Sequence, residues 1–158
     1  MALEIIILRG VSGSGKTTLA HKEFSAALKV SADRHMVDHS GGYRYEPSRL
    51  KDAHGACFFE ALSWAKNVTD GRITESGHPE SEQIVVDNTN VTLHAINPYI
   101  LLGDAYSIPS RIITLLCDPR EAAARSVHNV PERVVLELDR TLRQVRLPPY
   151  WIHETRTV

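Results

Sequence analysis

Residues Gly10 to Thr17 read Gly-Val-Ser-Gly-Ser-Gly-Lys-Thr and follow directly on an apolar run, Leu3-Glu4-Ile5-Ile6-Ile7-Leu8. No other feature constrains the fold as strongly. A loop of the form G-x-x-x-x-G-K-S/T cradles phosphates with inward-pointing amides, and it does so between a buried strand and a helix. The apolar run before it has the continuity of a parallel strand covered on both faces. The stretch after it, Thr17 to Phe24, reads as a helix whose N-terminal end faces the phosphates. Gly10, Ser12, Gly13, Ser14, Gly15, Lys16, Thr17 and Thr18 are therefore the expected ATP site. Lys16 is placed to reach the β- and γ-phosphates, and the Thr17 hydroxyl to hold Mg2+.

The remaining sequence alternates between short apolar runs and helical periodicity. Strands are predicted at Leu28 to Ser31, Ile84 to Asp87 and Arg111 to Leu116, with a last edge strand at Trp151 to Thr155. From Pro47 onward Leu50, His54, Cys57, Phe58, Ala61, Leu62 and Ala65 mark a long helix, with Pro47 in its first turn. Further helices are expected at Thr92 to Ala105, disturbed at Pro98, at Glu121 to Ser126, and at Pro131 to Val145. Asn67 to Glu82 is polar, with two glycines and a proline, and reads as a mobile surface loop. Such alternation predicts an α/β fold: a parallel sheet of about five strands with helices on both faces. The 158 residues suit a single domain, and 42% hydrophobic composition is ordinary for a globular protein. Cys57 and Cys117 lack metal-ligand spacing and read as buried reduced thiols, which fits a cytoplasmic setting. The N-terminal apolar run is too short for a signal peptide or membrane span.

In an open parallel sheet, ligands bind beyond the C-terminal ends of the strands. Two strand ends carry carboxylates, Asp33 after the second and Asp87 after the third. A hydrophobic run ending in Asp is Walker-B-like, so Asp87 is expected in the Mg2+ shell. Asp33 is then the expected general base, taking the proton of an attacking hydroxyl, a role typically worth ~10^2–10^4-fold. Asn88 follows Asp87 where a hydrolytic ATPase usually has a glutamate, which favours transfer to an acceptor over hydrolysis.

Phosphoryl transfer also requires positive charge around the transition state. The stretch 118–131 is the expected lid, short and helical. Arg125 is preferred over Arg120 as its arginine because it stands next to the break at Asn129 and Pro131. Arg34, His35, Tyr43, Arg44, Asn88 and Asn90 are the expected acceptor-side contacts, arginine for phosphate and tyrosine for base stacking. His54, on the apolar face of the long helix, reads as a hydrogen-bonded core residue. Arg140, Arg143 and Arg146 read as a solvated helix face, with Tyr150 and Trp151 as an aromatic anchor. A net charge of −1 excludes a globally basic nucleic-acid binder but not a local basic groove.

The ordered set of P-loop, Ser31-Ala32-Asp33, Gly42-Tyr43-Arg44-Tyr45, Leu50 to Cys57, Asp87-Asn88-Thr89-Asn90, Pro98-Tyr99 and Arg125 to Pro131 resembles the kinase module of polynucleotide 5′-hydroxyl kinases. It is most similar to the compact branch with NEDD4-binding-protein-like ATPase domains and phage DNA kinases. That branch includes kinases of hydroxymethyl pyrimidines in DNA. The resemblance covers nearly the whole chain. It implies a P-loop kinase fold with the Asp87 strand beside the P-loop strand, Asp33 activating the acceptor hydroxyl, and Arg125 as lid arginine. It implies ATP and Mg2+ as cofactors and a nucleic acid, DNA above RNA, as acceptor, without a membrane or a stable protein partner. Phage polynucleotide kinase carries a second acceptor-site arginine shortly after the catalytic aspartate. Here the nearest equivalents are Arg34 and His35. No phosphatase or ligase domain is expected.

Two other readings stand beside a nucleic-acid hydroxyl kinase. One is a small-molecule kinase acting on a nucleoside, sugar or antibiotic, marked by a closed acceptor pocket in place of an open arginine-lined groove. The other is a nucleotide-dependent switch without transfer.

Overall fold

The computed structural model describes residues 2–37, 40–42, 44, 46–71 and 80–158. Five parallel strands, β1 (Glu4–Arg9), β2 (Leu28–Val30), β3 (Gln83–Asp87), β4 (Ser110–Leu116) and β5 (His153–Thr157), form one sheet in the order β2-β3-β1-β4-β5. The P-loop strand is thus central and the Asp87 strand lies beside it, as the resemblance implied. Ile5 to Leu8 are wholly buried, as a strand covered on both faces must be.

The pleat sends alternate residues to opposite faces. Ile6, Leu8, Val85 and Ile113 pack against α1 (Lys16–Glu23) through Ala20 and Phe24. Ile5, Ile7, Ile84 and Ile112 pack against α2 (Leu50–Asp70) and α3 (Leu93–Tyr106), with Trp64 at the centre. The Trp64 indole N–H donates to the Ser81 carbonyl at 2.6 Å, so its burial leaves no orphan donor. Two further helices, α4 (Pro119–Arg125) and α5 (Glu132–Gln144), cover the end of the sheet near the P-loop. Among the described residues no helix is long and apolar enough to cross a membrane.

Several boundaries differ from expectation. Helix α2 continues past Asn67 to Asp70, because Val68 still packs on the core and Gly71, at φ 67°, supplies the left-handed cap. Residues 72–79 of the predicted loop lie outside the described set. Helix α3 runs through Pro98 unbroken. His94, whose carbonyl loses its partner there, is exposed, so water can satisfy it. Helix α4 starts two residues early, since the Asp118 carboxylate accepts from Arg120 N–H at 2.8 Å and Pro119 fits the first turn. Strand β5 begins at His153, beyond Trp151, which instead packs on the core.

Candidate active site

The P-loop leaves β1 and wraps the N-terminus of α1. Its glycines answer separate needs. At Gly13 (φ 82°) a Cβ would lie 1.9 Å from the Ala122 carbonyl oxygen of α4, so only glycine permits that approach. Gly15, at φ 99°, caps α1 in the left-handed region with no side-chain partner for the helix amides. Those amides, pointing at the loop, suit an anion. Ser14 Oγ is buried with no partner among the described residues, the kind of orphan a phosphate oxygen satisfies. Lys16 is almost completely buried and donates to the Val11 carbonyl at 2.9 Å. Burial pushes its pKa down, while Asp87 and Asp33 both oppose the shift.

Thr17 Oγ1 donates to Asp87 Oδ2 at 2.6 Å. A hydroxyl and a carboxylate side by side form a hard-oxygen pair of the type Mg2+ takes alongside water and phosphate. A cavity of about 650 Å³ opens from here, lined by the loop, Thr18, Leu19, Arg125, Val127 and the C-terminal residues Arg156 to Val158. Its volume is in the range of nucleotide-sized ligands. Arg125 Nε donates to the Gly13 carbonyl at 3.2 Å, so this arginine sits on the phosphate loop. Arg120 points elsewhere: it is 78% exposed and lies 3.6 Å from Glu132.

Asp33 lies in a 3-10 turn, Ala32–His35, immediately after β2. The turn is fixed to the end of β3 by Asn88, whose Oδ1 accepts from Ala32 N–H at 2.8 Å. The Asp33 carboxylate is 53% exposed and lies 3.4 Å from His128 Nε2, on the segment joining α4 to α5. Both line a second, more enclosed cavity of about 240 Å³. Its polar walls include Ser12, Asp33, His54, Asn88 and His128, and its apolar walls come from Leu50 and from Val130 to Leu138. Ser12 belongs to the P-loop, so this cavity abuts the phosphate end of the larger one. No arginine or lysine among the described residues lines it.

The expected acceptor-side residues separate into two groups. Arg34 is exposed beside Asp33, and Asn88 lines the smaller cavity. The others are engaged elsewhere. His35 pairs with Glu60 of α2 at 2.5 Å. Arg44 pairs with Glu46 at 3.1 Å. Asn90 is buried, its Nδ2 donating to the Leu8 carbonyl at 2.7 Å, which makes it a brace of the P-loop strand and not an acceptor contact. Tyr43 lies outside the described residues. His54 corrects the expectation of a core residue: it is exposed on α2 and faces the cavity. The side of the ring turned toward the cavity wall is partly desolvated, which lowers its pKa, and Asp33 opposes this.

Three residues near the site carried little sequence signal. His128 was visible only as part of the lid stretch. Arg156 was hidden in a polar edge strand. Arg9 ends β1, and its guanidinium donates to the carbonyls of Asn90, Val91 and Leu142 at 3.0, 2.9 and 3.3 Å. A lone charge closing an apolar strand was the one available hint.

The AAA domain family profile matches residues 5–145. NEDD4-binding protein 2 of Homo sapiens is 26% identical over 158 residues, 94% of this chain, which spans 8% of that protein's length. Among solved structures, a chain of the AvrRxo1-ORF1:ORF2 complex solved with ATP matches with a TM-score of 0.64 at 19% identity. The match covers 90% of this chain and 48% of that one. A sugar kinase from Janibacter sp. HTCC2649 matches with a TM-score of 0.60 at 15% identity, over 99% of this chain and 86% of that one. At these identities both structures speak for the fold, which is that of P-loop kinases.

Proposed function

The chain belongs to the AAA domain family, and from that premise we propose that it is an ATP-dependent kinase whose acceptor is a hydroxyl on nucleic acid, either a 5′ end or a hydroxymethyl pyrimidine. The observation that carries the reading is that Asp87 accepts from Thr17 of the P-loop while Asp33 shares a compact cavity with Ser12 of the same loop.

In this reading Asp33 accepts the proton of the acceptor hydroxyl as its oxygen attacks the γ-phosphorus. The bond to the bridging oxygen breaks and ADP leaves. Lys16 and Arg125 meet the charge that develops on the phosphoryl oxygens. Mg2+, held by Thr17 and Asp87, would neutralise charge between the β- and γ-phosphates. His128 orients the Asp33 carboxylate, and Asn88 holds the turn that carries it. A cavity of about 240 Å³ admits one nucleoside-sized group, so a nucleic acid would present a terminal residue or an extruded base. Exposed Arg34 stands beside Asp33 to meet the adjoining phosphate.

A second reading, a kinase of a free sugar or nucleoside, is favoured by the lack of arginine and lysine in the described lining of that cavity. One assay separates the two. The chain is incubated with γ-labelled ATP, Mg2+ and, in parallel, a 5′-hydroxyl oligonucleotide, DNA containing 5-hydroxymethyluracil, RNA, free nucleosides and gluconate. Label on an oligonucleotide, abolished by Lys16→Ala, is expected. Label confined to nucleosides or gluconate transfers the assignment to the second reading, and label on none rejects transfer to these hydroxyls.

A further inference from the structure

A third cavity, of about 380 Å³, lies on the sheet face opposite the nucleotide cavity. Thr114 and Leu116 of β4 line it, whereas Leu115 and Arg156 line the nucleotide side. Its floor follows from strand register. Arg9 pairs with Thr114, and Thr114 pairs with Thr155, so three polar side chains stand in a row across β1, β4 and β5. All three line the cavity, with Arg143 and His153 at its margin and Leu142, Val145 and Leu147 forming an apolar wall.

Two of these groups are costly without a ligand. Arg9 is 3% exposed, and its partners among the described residues are three carbonyls, with no carboxylate. Burial lowers its pKa to about 10, which leaves it charged at neutral pH. A buried cation without a counter-charge is unfavourable, and an anion placed against it recovers that cost. Thr114 is likewise 3% exposed, and its Oγ1 has no partner among the described residues. Arg143 donates to Asp139 Oδ2 at 2.8 Å and to the Cys117 carbonyl at 3.1 Å. Asp139 therefore offsets Arg143, and the net positive charge of the cavity rests on Arg9.

We propose that this cavity is a second ligand site, taking a small organic phosphate monoester whose oxyanion meets Arg9, Thr114 and Arg143 while its apolar body lies on Leu142, Val145 and Leu147. The site is separate from both cavities of the proposed kinase and does not depend on that function.

The test uses the full chain with AMP-PNP and Mg2+ saturating the P-loop, so that phosphate binding there cannot mimic the result. Phenyl phosphate is the probe, titrated by 15N–1H NMR. Saturable shifts centred on residues 142–147 and 153–155 are expected. Arg143→Gln should weaken the affinity about tenfold, as loss of a charge-assisted hydrogen bond does. Thr114→Val should weaken it about three- to tenfold, and it should fold, because it removes a hydroxyl that has no partner. Arg9 is left intact, since its carbonyl bonds tie β1 to α5. The proposal is overturned by shifts absent at about 10 mM probe, where even a weak millimolar site would fill. It is equally overturned by shifts confined to the P-loop, or by an affinity that neither variant changes.

Discussion

Replacing Gly13 and Gly15 separately by alanine distinguishes two reasons for glycine within one loop. Both residues have left-handed backbones, at φ 82° and 99°. Each alanine therefore incurs a conformational cost of about 1–2 kcal/mol. Gly15 has nothing within 4 Å of its virtual Cβ, so its cost ends there. At Gly13 the Cβ meets the Ala122 carbonyl oxygen at 1.9 Å, and α4 would have to withdraw by about 1.5 Å to restore ordinary contact at 3.4 Å. Ala122 is fully buried, clustered with Val11, Cys117, Val135 and Leu142. Opening that cluster adds about 1–3 kcal/mol, the usual range for overpacking. Gly13→Ala should then destabilise by about 2–5 kcal/mol and Gly15→Ala by about 1–2 kcal/mol. Urea unfolding monitored by the fluorescence of Trp64 and Trp151 measures both. Equal losses in the two variants would refute the claim that contact with α4 fixes Gly13.

Three further outcomes are expected. Asp33→Asn should cut the rate of transfer by ~10^2–10^4-fold while ATP affinity holds; a parallel loss of ATP binding, read by calorimetry, would make Asp33 structural. Arg125→Ala should lower turnover by ~10^3-fold or more, whereas Arg120→Ala, which removes an exposed ion pair with Glu132, should leave it unchanged; reversed effects would reassign the lid arginine. Burial holds the Cys57 thiol above its ordinary 9.0, against donors Tyr99 and Asn88. Above about pH 9 the unfolded chain therefore releases a proton that the fold retains, and stability, complete below that pH, declines. Cys57→Ala should flatten the early part of this decline in urea midpoints at pH 8, 9 and 10, and an unchanged slope would discount the thiol.

The strands and the phosphate loop were legible because both are periodic or local. Ile5 to Leu8, Ile84 to Val86 and Ile112 to Leu115 declare burial by composition, and the glycine spacing declares the turn. Arginine roles were not legible. Arg49 follows the expected acceptor-side stretch in sequence, but its guanidinium donates to the His35 and Val37 carbonyls at 3.2 and 3.3 Å. Arg9 and Arg143 are likewise engaged by carbonyls that come close only after folding. A guanidinium binds a carbonyl and a phosphate with the same donors, so residue type alone cannot separate scaffold from ligand. His54 failed for a related reason: its helical phase matched the core residues, but its side chain stands where α2 passes the cavity instead of the sheet.

Asn88 joins these two kinds of information. In sequence it matters as the absence of a hydrolytic glutamate. In the fold its amide works in both directions, with Oδ1 accepting from Ala32 N–H and Nδ2 reaching Cys57 Sγ at 3.6 Å. A carboxylate at this buried position would lose the donor and set a third negative charge near Asp33 and Asp87, raising the cost of ionising each. An amide keeps the turn in place without competing for Mg2+ or for the proton that Asp33 is proposed to take. The same residue that argues against activating water thus braces the turn carrying the proposed base, and Asn88→Ala should impair Asp33 even though Asn88 moves no proton itself.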